Sequence, residues 1–173
     1  MATVVFVNGM PGSGKSTFGK KLAKVLDYDF FDLDNYITSK TSLSPADWIN
    51  QHGEEQFRLV ESEYLKHFLN KNGIVLSCGG GTPCFHSNLD MMLESGLCLY
   101  LNMSPKALYS RLSQKKGVES RPLLQLNEKE MPQYLEKLLA EREVFYNQMQ
   151  LTLDGLNPDS NLVKAYLASF QGA

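Results

Sequence analysis

A glycine-rich segment near the start of the chain constrains the fold more than any other feature of the sequence. Residues 9–16 read Gly-Met-Pro-Gly-Ser-Gly-Lys-Ser, which matches the phosphate-loop pattern G-x-x-x-x-G-K-[ST]. The apolar residues 4–7 before this segment predict a buried parallel strand, and residues 17–26 after it predict a helix. A plain strand-to-helix turn is the alternative, but the Lys-Ser pair and the flanking elements favour a nucleotide phosphate site.

Phosphate binding follows from the residue types in this loop. Glycines allow consecutive backbone N–H groups to turn inward around phosphate oxygens, and the helix that follows adds its positive dipole end. Lys15 can reach the β- and γ-phosphates of a nucleotide, and the Ser16 hydroxyl is placed to coordinate Mg²⁺. The predicted nucleotide ligands in this segment are Gly12, Ser13, Gly14, Lys15, Ser16 and Thr17.

Composition limits what else the chain can do. With 173 residues, 43% of them hydrophobic, it is sized for one domain over residues 1–173 with a core of its own. A formal net charge of −2 provides no basic field for a nucleic-acid partner. The longest apolar runs are of strand length, and none resembles a signal peptide or a membrane span. We therefore expect a cytoplasmic monomer without nucleic-acid or membrane partners.

Cysteine and histidine usage agrees with that location. The three cysteines are an odd number without C-x-x-C spacing, which predicts free thiols in a reducing compartment. The three histidines also lack the spacing of metal ligands. Disulfides and a structural zinc site are therefore not expected.

Strand-like and helix-like segments alternate along the chain, which predicts an α/β fold with a mostly parallel sheet. The predicted strands are 3–8, 29–31, 74–78, 97–101 and 149–153. The predicted helices are 15–26, 34–40, 45–51, 53–70, 87–95, 104–115, 130–147 and 159–170. Ser44 and Ser104, each followed by proline, are predicted N-caps.

The regular alternation is interrupted over residues 113–129. This stretch is polar, contains Gly117 and Pro122, and shows no sustained period. Long irregular segments in small kinase-like domains are more often moving lids than packed elements, so we expect a mobile lid here. Arg121 lies within it, where closure could bring the guanidinium to the γ-phosphate.

Two carboxylates follow the second predicted strand. Alternation along an extended segment would point Asp32 and Asp34 to the same side, at the carboxyl end of a parallel strand where ligands bind in open α/β sheets. One carboxylate can hold Mg²⁺ through water, and the other can accept a hydrogen bond from an attacking hydroxyl. The alternative is that Asp34 only caps a helix starting at Asn35.

The longest predicted helix carries a charged face. Glu54, Arg58 and Glu61 follow one another at i+4 and i+3 beside an apolar stripe. An exposed salt-bridge ladder is one interpretation. If Arg58 instead points into the crevice, Glu61 would hold its guanidinium in place for a substrate carboxylate, which arginine binds with two parallel hydrogen bonds.

Three successive glycines follow the third predicted strand. Gly79, Gly80 and Gly81 cost backbone entropy and add no side-chain packing, so their expected use is to let backbone amides approach a ligand closely. Arg111 and Arg142 are further candidates for ligand binding or charge stabilisation, although a single arginine on a helix is usually a solvated residue.

Together these motifs resemble the shikimate kinase family, and the resemblance runs from Gly9 to Pro158. Its specific parts are the phosphate loop, Asp32-Leu33-Asp34, Gly53-Glu54-x-x-Phe57-Arg58-x-x-Glu61, Gly79-Gly80-Gly81, Arg121-Pro122-Leu123-Leu124 and Arg142-x-x-x-Tyr146. The resemblance implies a P-loop kinase fold with five parallel strands in the order 2-3-1-4-5. It also implies ATP-dependent phosphorylation of the shikimate 3-hydroxyl, on the route to chorismate and the aromatic amino acids.

The same resemblance implies a role for individual residues. Shikimate would be bound by Asp34, Arg58 and Arg142 together with the glycines Gly79, Gly80 and Gly81, with Glu61 supporting Arg58. The transferring phosphoryl group would meet Lys15 and Arg121, Mg²⁺ would be served by Ser16 and Asp32, and the adenine would be bordered by Arg111, Asn157 and Pro158. Asp34 would act as base or as hydroxyl orienter. We expect positioning and charge stabilisation to carry more of the rate than proton removal.

Two other functions compete with this interpretation. A gluconate kinase or a nucleoside monophosphate kinase would share the phosphate loop, but the combination of Asp34, Arg58, Arg142 and three glycines suits an anionic polyol ring better. A non-catalytic nucleotide-binding module would use the same scaffold as a switch. That alternative predicts loss of Lys15, Asp34 or Arg121, and all three are present.

Overall fold

The structure is a computed structural model that describes residues 3–114 and 130–170. Its strands are β1 (Val4–Asn8), β2 (Asp29–Asp32), β3 (Ile74–Ser77), β4 (Gly96–Asn102) and β5 (Leu151–Asp154). Its helices are α1 (Lys15–Leu26), α2 (Leu33–Thr41), α3 (Pro45–His52), α4 (Glu54–Leu69), α5 (Asn88–Ser95), α6 (Pro105–Gln114), α7 (Glu130–Tyr146) and α8 (Ser160–Phe170). A short 3₁₀ helix, Thr82–Cys84, was not predicted. Every predicted strand and helix is confirmed, within about two residues at each end.

The five strands form one parallel sheet in the order β2-β3-β1-β4-β5, as predicted. Pairing places Ser77 beside both Asp32 on β2 and Val7 on β1. The carboxyl ends of these three strands therefore meet at one edge. This is the edge where open α/β sheets bind ligands, and the phosphate loop and the three glycines both begin there.

The central strand shows why the sheet is covered on both faces. Val4 and Phe6 belong to one buried cluster and Val5 and Val7 to another, because successive side chains of a strand point to opposite faces. The cluster on the first face includes residues from α2, α4 and α7, and the cluster on the second includes residues from α1 and α8. None of the helices in the described residues is long and apolar enough to cross a bilayer.

Two helix starts were predicted from single residues, and both are confirmed. The Ser44 hydroxyl accepts a hydrogen bond from the backbone N–H of Asp47 at 3.2 Å, and the Ser104 hydroxyl accepts one from the backbone N–H of Ala107 at 3.3 Å. Both contacts pair an N–H group that the helix itself leaves without a partner. Serine followed by proline was therefore a reliable start signal in this chain.

Candidate active site

The phosphate loop lies between β1 and α1, and its glycines have the backbone conformation for which glycine is needed. The φ angles of Gly9, Gly12 and Gly14 are +146°, +86° and +91°. Gly14 precedes α1 in the left-handed conformation, and no side chain caps the helix there. The first amides of α1 are thus not paired by a capping side chain, which is the arrangement that binds phosphate at a helix N-terminus.

Lys15 and Ser16 occupy the first two positions of α1. The Lys15 Nζ atom donates a hydrogen bond to the backbone oxygen of Met10 at 3.1 Å, across the mouth of the loop. The Ser16 hydroxyl donates to Asp32 Oδ2 at 2.6 Å and lies 3.3 Å from the hydroxyl of Ser77. The ends of β2 and β3 therefore meet the start of α1. Thr17 follows on the same turn and is exposed.

The Ser16 and Asp32 pair has the chemistry of a magnesium site. Both contribute oxygen atoms, and Mg²⁺ in nucleotide sites is typically held by one or two side chains together with phosphates and water. Among residues 3–114 and 130–170 there is no cluster of three or more His, Cys, Asp or Glu side chains that could hold a metal by itself. The donor set fits Mg²⁺ bound with a nucleotide rather than a structural metal.

Asp34 reaches the site by a different route from the one the sequence suggested. The strand β2 ends at Asp32, and Asp34 lies in the first turn of α2, so the expected alternation along one extended segment is wrong. The helix cap is Asp32, whose Oδ1 accepts from the backbone N–H of Asn35 at 3.2 Å. The alternative that Asp34 only caps this helix is therefore also wrong.

Burial and neighbouring charges perturb the Asp34 carboxyl. Burial, together with the negative charges of Glu61 and Asp32, raises the pKa of Asp34 to about 6, although the positive charges of Lys15 and Arg58 oppose the shift. Such a carboxyl exchanges a proton near neutral pH. Asp34 thus lies within electrostatic reach of both the phosphate-loop lysine and the arginine of α4, the two sides of the predicted reaction.

Arg58 is buried and paired with a buried glutamate, so the alternative of a fully exposed salt-bridge ladder does not hold. It is 8% exposed, and Glu61 is 1% exposed. Arg58 Nη1 donates to Glu61 Oε2 at 2.8 Å, and the other oxygen of Glu61 accepts from the Thr82 hydroxyl at 2.6 Å. Burial alone would lower the pKa of Arg58, but Glu61 and Glu54 outweigh it and raise the pKa, so the guanidinium stays charged.

The three glycines make room for site side chains. A Cβ atom would lie 2.8 Å from Glu61 Oε1 at Gly79, 2.8 Å from Arg142 Nη1 at Gly80 and 2.6 Å from Arg58 Nη2 at Gly81. These distances are shorter than any normal van der Waals contact of a carbon atom with oxygen or nitrogen. None of the three has a positive φ angle. Lack of space, and not an unusual backbone conformation, thus explains why glycine occupies all three positions.

Arg142 approaches the same glycines from α7. Its Nη1 atom is buried and has no hydrogen-bond partner among the described residues. One turn later on α7, the Tyr146 hydroxyl donates to the backbone oxygen of Gly80 at 2.6 Å. A buried guanidinium nitrogen without a partner is costly, and an anionic ligand would supply the missing acceptor.

A pocket of about 440 Å³ opens beside Arg142. It is lined by Glu54, Cys84, Phe85, Tyr134, Lys137, Leu138, Glu141, Arg142 and Phe145. The ring of Phe85 lies 4.6 Å from the guanidinium carbon of Arg58. Phe85 and Thr82 were not predicted as site residues. Their contacts join segments more than 20 residues apart, which no local pattern in the sequence reveals.

Arg111 lies against the other end of the phosphate loop. Its Nη1 atom donates to the backbone oxygen of Ser13 at 3.1 Å, and its Nη2 atom donates to that of Gly155 at 3.2 Å. Gly155 begins the loop that contains Asn157 and Pro158 and leads into α8. Arg111 therefore joins the phosphate loop to the segment that was predicted to border the adenine. Arg121 and nearly all of the proposed lid lie outside the described residues, so both stay predictions.

The chain is similar to proteins of one known family over most of its length. A family model described as "Shikimate kinase" matches residues 11–169. The shikimate kinase of Bacteroides thetaiotaomicron is 35% identical over 147 residues, which cover 84% of this chain and 83% of that protein. A crystal structure of shikimate kinase from the same organism superposes with a TM-score of 0.84 at 32% identity, covering 90% of this chain and 88% of that one. Shikimate kinase from Acinetobacter baumannii in complex with shikimate also gives a TM-score of 0.84, at 27% identity over 99% of this chain and 94% of that one.

Proposed function

The chain belongs to the shikimate kinase family, and from this premise we propose that it transfers the γ-phosphoryl group of ATP to the 3-hydroxyl of shikimate. The products are shikimate 3-phosphate and ADP, on the route to chorismate and the aromatic amino acids. One observation carries the proposal. A phosphate loop and a buried carboxylate–guanidinium cluster meet at the carboxyl ends of β1, β2 and β3, with Asp34 within electrostatic reach of both Lys15 and Arg58.

The nucleotide side of the site is formed by the phosphate loop and the loop before α8. Residues 12–17 bind the phosphates through backbone amides, and Lys15 neutralises charge on the β- and γ-phosphates. Arg111, Asn157 and Pro158 border the adenine. Ser16 and Asp32 would hold Mg²⁺, which when bound would neutralise negative charge on the phosphates.

The acceptor side is formed by the two arginines, Asp34 and the glycines. Arg58 and Arg142 supply guanidinium donors for the shikimate carboxylate, and Glu61 fixes the orientation of Arg58. Gly79, Gly80 and Gly81 let Glu61, Arg142 and Arg58 lie close to the loop backbone, which brings the two arginines to the acceptor side. Asp34 accepts the hydrogen bond of the attacking hydroxyl. The shikimate bound by the relative from A. baumannii supports this acceptor.

The residues perform the transfer mainly by holding the reactants in line. Asp34 orients the 3-hydroxyl and takes its proton at a carboxylate oxygen as the bond to phosphorus forms. With a pKa of about 6, Asp34 is mostly ionised at neutral pH and is a competent proton acceptor. Lys15 and Arg121 stabilise the charge that develops on the transferring group. A nucleotide acceptor has no carboxylate for this pair of arginines, and gluconate presents its carboxylate on an open chain rather than on a ring.

The protein is proposed to act in the cytoplasm as a monomer. Cys78 and Cys98 are buried and Cys84 is partly buried, and all three are free thiols, which suits a reducing compartment.

Product identification tests the proposal. The protein is incubated with ATP, Mg²⁺ and shikimate, and the phosphorylated product is examined by ³¹P and ¹H NMR. A single phosphomonoester coupled to the proton on carbon 3 is expected, and omission of Mg²⁺ should abolish it. Phosphate on another hydroxyl, or ADP formed without a shikimate product, would contradict the proposal. The Lys15→Ala variant serves as the control for contaminating kinases.

A further inference from the structure

We infer that Glu54 occupies the carboxylate-binding edge of Arg58 before the acceptor binds, so that the acceptor carboxylate must replace Glu54. The inference rests on the proposed function, because it concerns the same guanidinium. It adds a residue that sets acceptor affinity without taking part in the chemistry. The argument depends on how the donors of Arg58 are divided between two glutamates.

The two edges of the Arg58 guanidinium hold different carboxylates. Nη1 donates to Glu61 Oε2 at 2.8 Å. On the other edge, Nε and Nη2 both donate to Glu54 Oε1, at 3.3 and 2.9 Å. The Nε–Nη2 edge can bind a carboxylate with two parallel N–H donors. Glu54 therefore holds the contact that an acceptor carboxylate would make.

The two glutamates differ in how firmly they are held. The Glu61 side chain is 1% exposed, and its second oxygen accepts from Thr82. The Glu54 side chain is 58% exposed, and its only hydrogen bonds among the described residues are those from Arg58. An acceptor can displace an exposed carboxylate into water at small cost, whereas displacement of Glu61 would leave a buried charge.

Arg58 keeps its position without Glu54. Glu61 accepts from Nη1, and the ring of Phe85 lies 4.6 Å from the guanidinium carbon. The guanidinium also lies so close to Gly81 that a Cβ atom there would be 2.6 Å from Nη2. Glu54 is not needed to orient the guanidinium.

Glu54 also lines the pocket beside Arg142. It lines the pocket of about 440 Å³ together with Arg142, the second guanidinium on the acceptor side. The buried Nη1 atom of Arg142 lacks an acceptor among the described residues. Glu54 therefore lines the same pocket as Arg142 while its carboxylate is paired with Arg58, so an anion that binds both arginines has to replace it. The Glu54 carboxylate is an internal competitor for the acceptor.

A competitor of this kind affects binding more than turnover. Exposed ion pairs are weak, so removal of Glu54 should tighten acceptor binding by about two- to fivefold. The rate of phosphoryl transfer from the bound complex should stay the same, since Glu54 is displaced before that step. ATP binding should also be unchanged.

The test compares Glu54→Ala with Glu55→Ala. Glu55 is the next residue of the same helical turn, is exposed, and has no ion pair within the described part of the chain, so it controls for charge and for the helix dipole. For Glu54→Ala, we expect the shikimate KM and the equilibrium Kd to fall about two- to fivefold, with unchanged kcat and ATP KM. Glu55→Ala should behave like the wild type.

Two further measurements separate competition from a structural effect. In an Arg58→Met background, which keeps most of the side-chain stem but has no charge or donor for Glu54, the Glu54→Ala effect should vanish, and with the methyl ester of shikimate, which lacks the carboxylate, it should also vanish. An unchanged or raised shikimate KM in Glu54→Ala, or an equal fall in Glu55→Ala, overturns the inference while leaving the proposed function intact. Failure of the wild-type protein to phosphorylate shikimate overturns both.

Discussion

The Tyr146 hydroxyl donates a 2.6 Å hydrogen bond to the backbone oxygen of Gly80, and Arg142 lies one turn earlier on the same helix. The Tyr146 ring is fully buried and stacks on Tyr100 with ring centroids 4.7 Å apart. Burial raises the pKa of Tyr146, so the hydroxyl remains a donor across the physiological range. This contact fixes α7, and with it Arg142, against the glycine loop.

Replacement of Tyr146 by Phe should loosen that attachment. The ring and its stacking remain, but the Gly80 carbonyl loses its donor, which costs about 1–2 kcal/mol of unfolding free energy. The shikimate KM should rise and the ATP KM should not. Denaturant unfolding and steady-state kinetics measure both effects. Tyr109→Phe is the control, because its hydroxyl has no hydrogen bond with the described residues. If the two variants had the same shikimate KM and the same unfolding free energy, the Tyr146 hydroxyl would have no role in positioning Arg142.

Replacement of Gly81 by Ala should displace Arg58. The backbone of Gly81 has φ −95°, which alanine adopts without strain, so the effect must come from the new Cβ atom. That atom would lie 2.6 Å from Arg58 Nη2, and Arg58 cannot move away without breaking its contacts with Glu61 and Phe85. We expect a shikimate KM at least tenfold higher with ATP binding retained, measured by titration with each ligand. Normal shikimate affinity in Gly81→Ala would show that the close approach of Arg58 to Gly81 does not matter for acceptor binding.

Arg58→Lys keeps the charge but loses the planar pair of donors. Shikimate binding should weaken by about 1.5–3 kcal/mol, the range for hydrogen bonds to charged groups, and ATP binding should change little. Calorimetric titration of the variant with each ligand measures the two affinities. Unchanged shikimate affinity would mean that Arg58 does not bind the acceptor and has only a structural ion pair with Glu61.

Asp34 should impose a pH dependence on activity. Its carboxylate is the active form, and the pKa of Asp34 in the free protein is about 6, so kcat/KM for shikimate should fall tenfold per pH unit below about pH 6. Asp34→Asn should lower kcat by about 10²- to 10⁴-fold while leaving ATP affinity nearly intact. Asp29→Asn, which changes an exposed carboxylate on the preceding strand β2, is the control. A near-normal kcat in Asp34→Asn would leave the proton acceptor unidentified.

The same carboxyl should make the folded protein less stable as pH rises. Its pKa is raised from the ordinary value of 3.8 to about 6, so ionisation is harder in the folded state than in the unfolded chain. The unfolding free energy should therefore fall between about pH 4 and pH 6 and stay lowered above that. Asp34→Asn should be more stable than the wild type at pH 8, by at most about 3 kcal/mol. Thermal melts at pH 4 and pH 8 test the sign, since the difference should disappear at pH 4.

The sequence predicted most of the fold because the relevant signals are local. Glycines of the phosphate loop, serine-proline caps and apolar runs each act within a few residues, and the structure confirms the elements they predict. The site was harder to predict where it depends on the exact end of an element. The strand β2 ends at Asp32, and this residue is the N-cap of α2. Asp34 therefore lies in the first turn of α2 and not on an extended segment.

The contacts of the site between segments far apart in the sequence could not be predicted, for a different reason. Thr82 fixes Glu61 from a short 3₁₀ helix, and Phe85 covers Arg58 from the loop after it, although neither residue type is distinctive. The glycines were predicted to admit a ligand, but the structure shows that they first make room for Glu61, Arg142 and Arg58. Such effects arise only when separate segments pack together.

The comparison of acceptors tests the central claim most directly. ADP release with ATP and Mg²⁺ is measured in parallel for shikimate, quinate, gluconate and AMP, and kcat/KM is obtained for each. Under the proposed function, Arg58 and Arg142 bind a ring carboxylate while Asp34 accepts from a ring hydroxyl, so shikimate should give the highest value by a wide margin. Equal or faster turnover of gluconate or AMP would contradict the account.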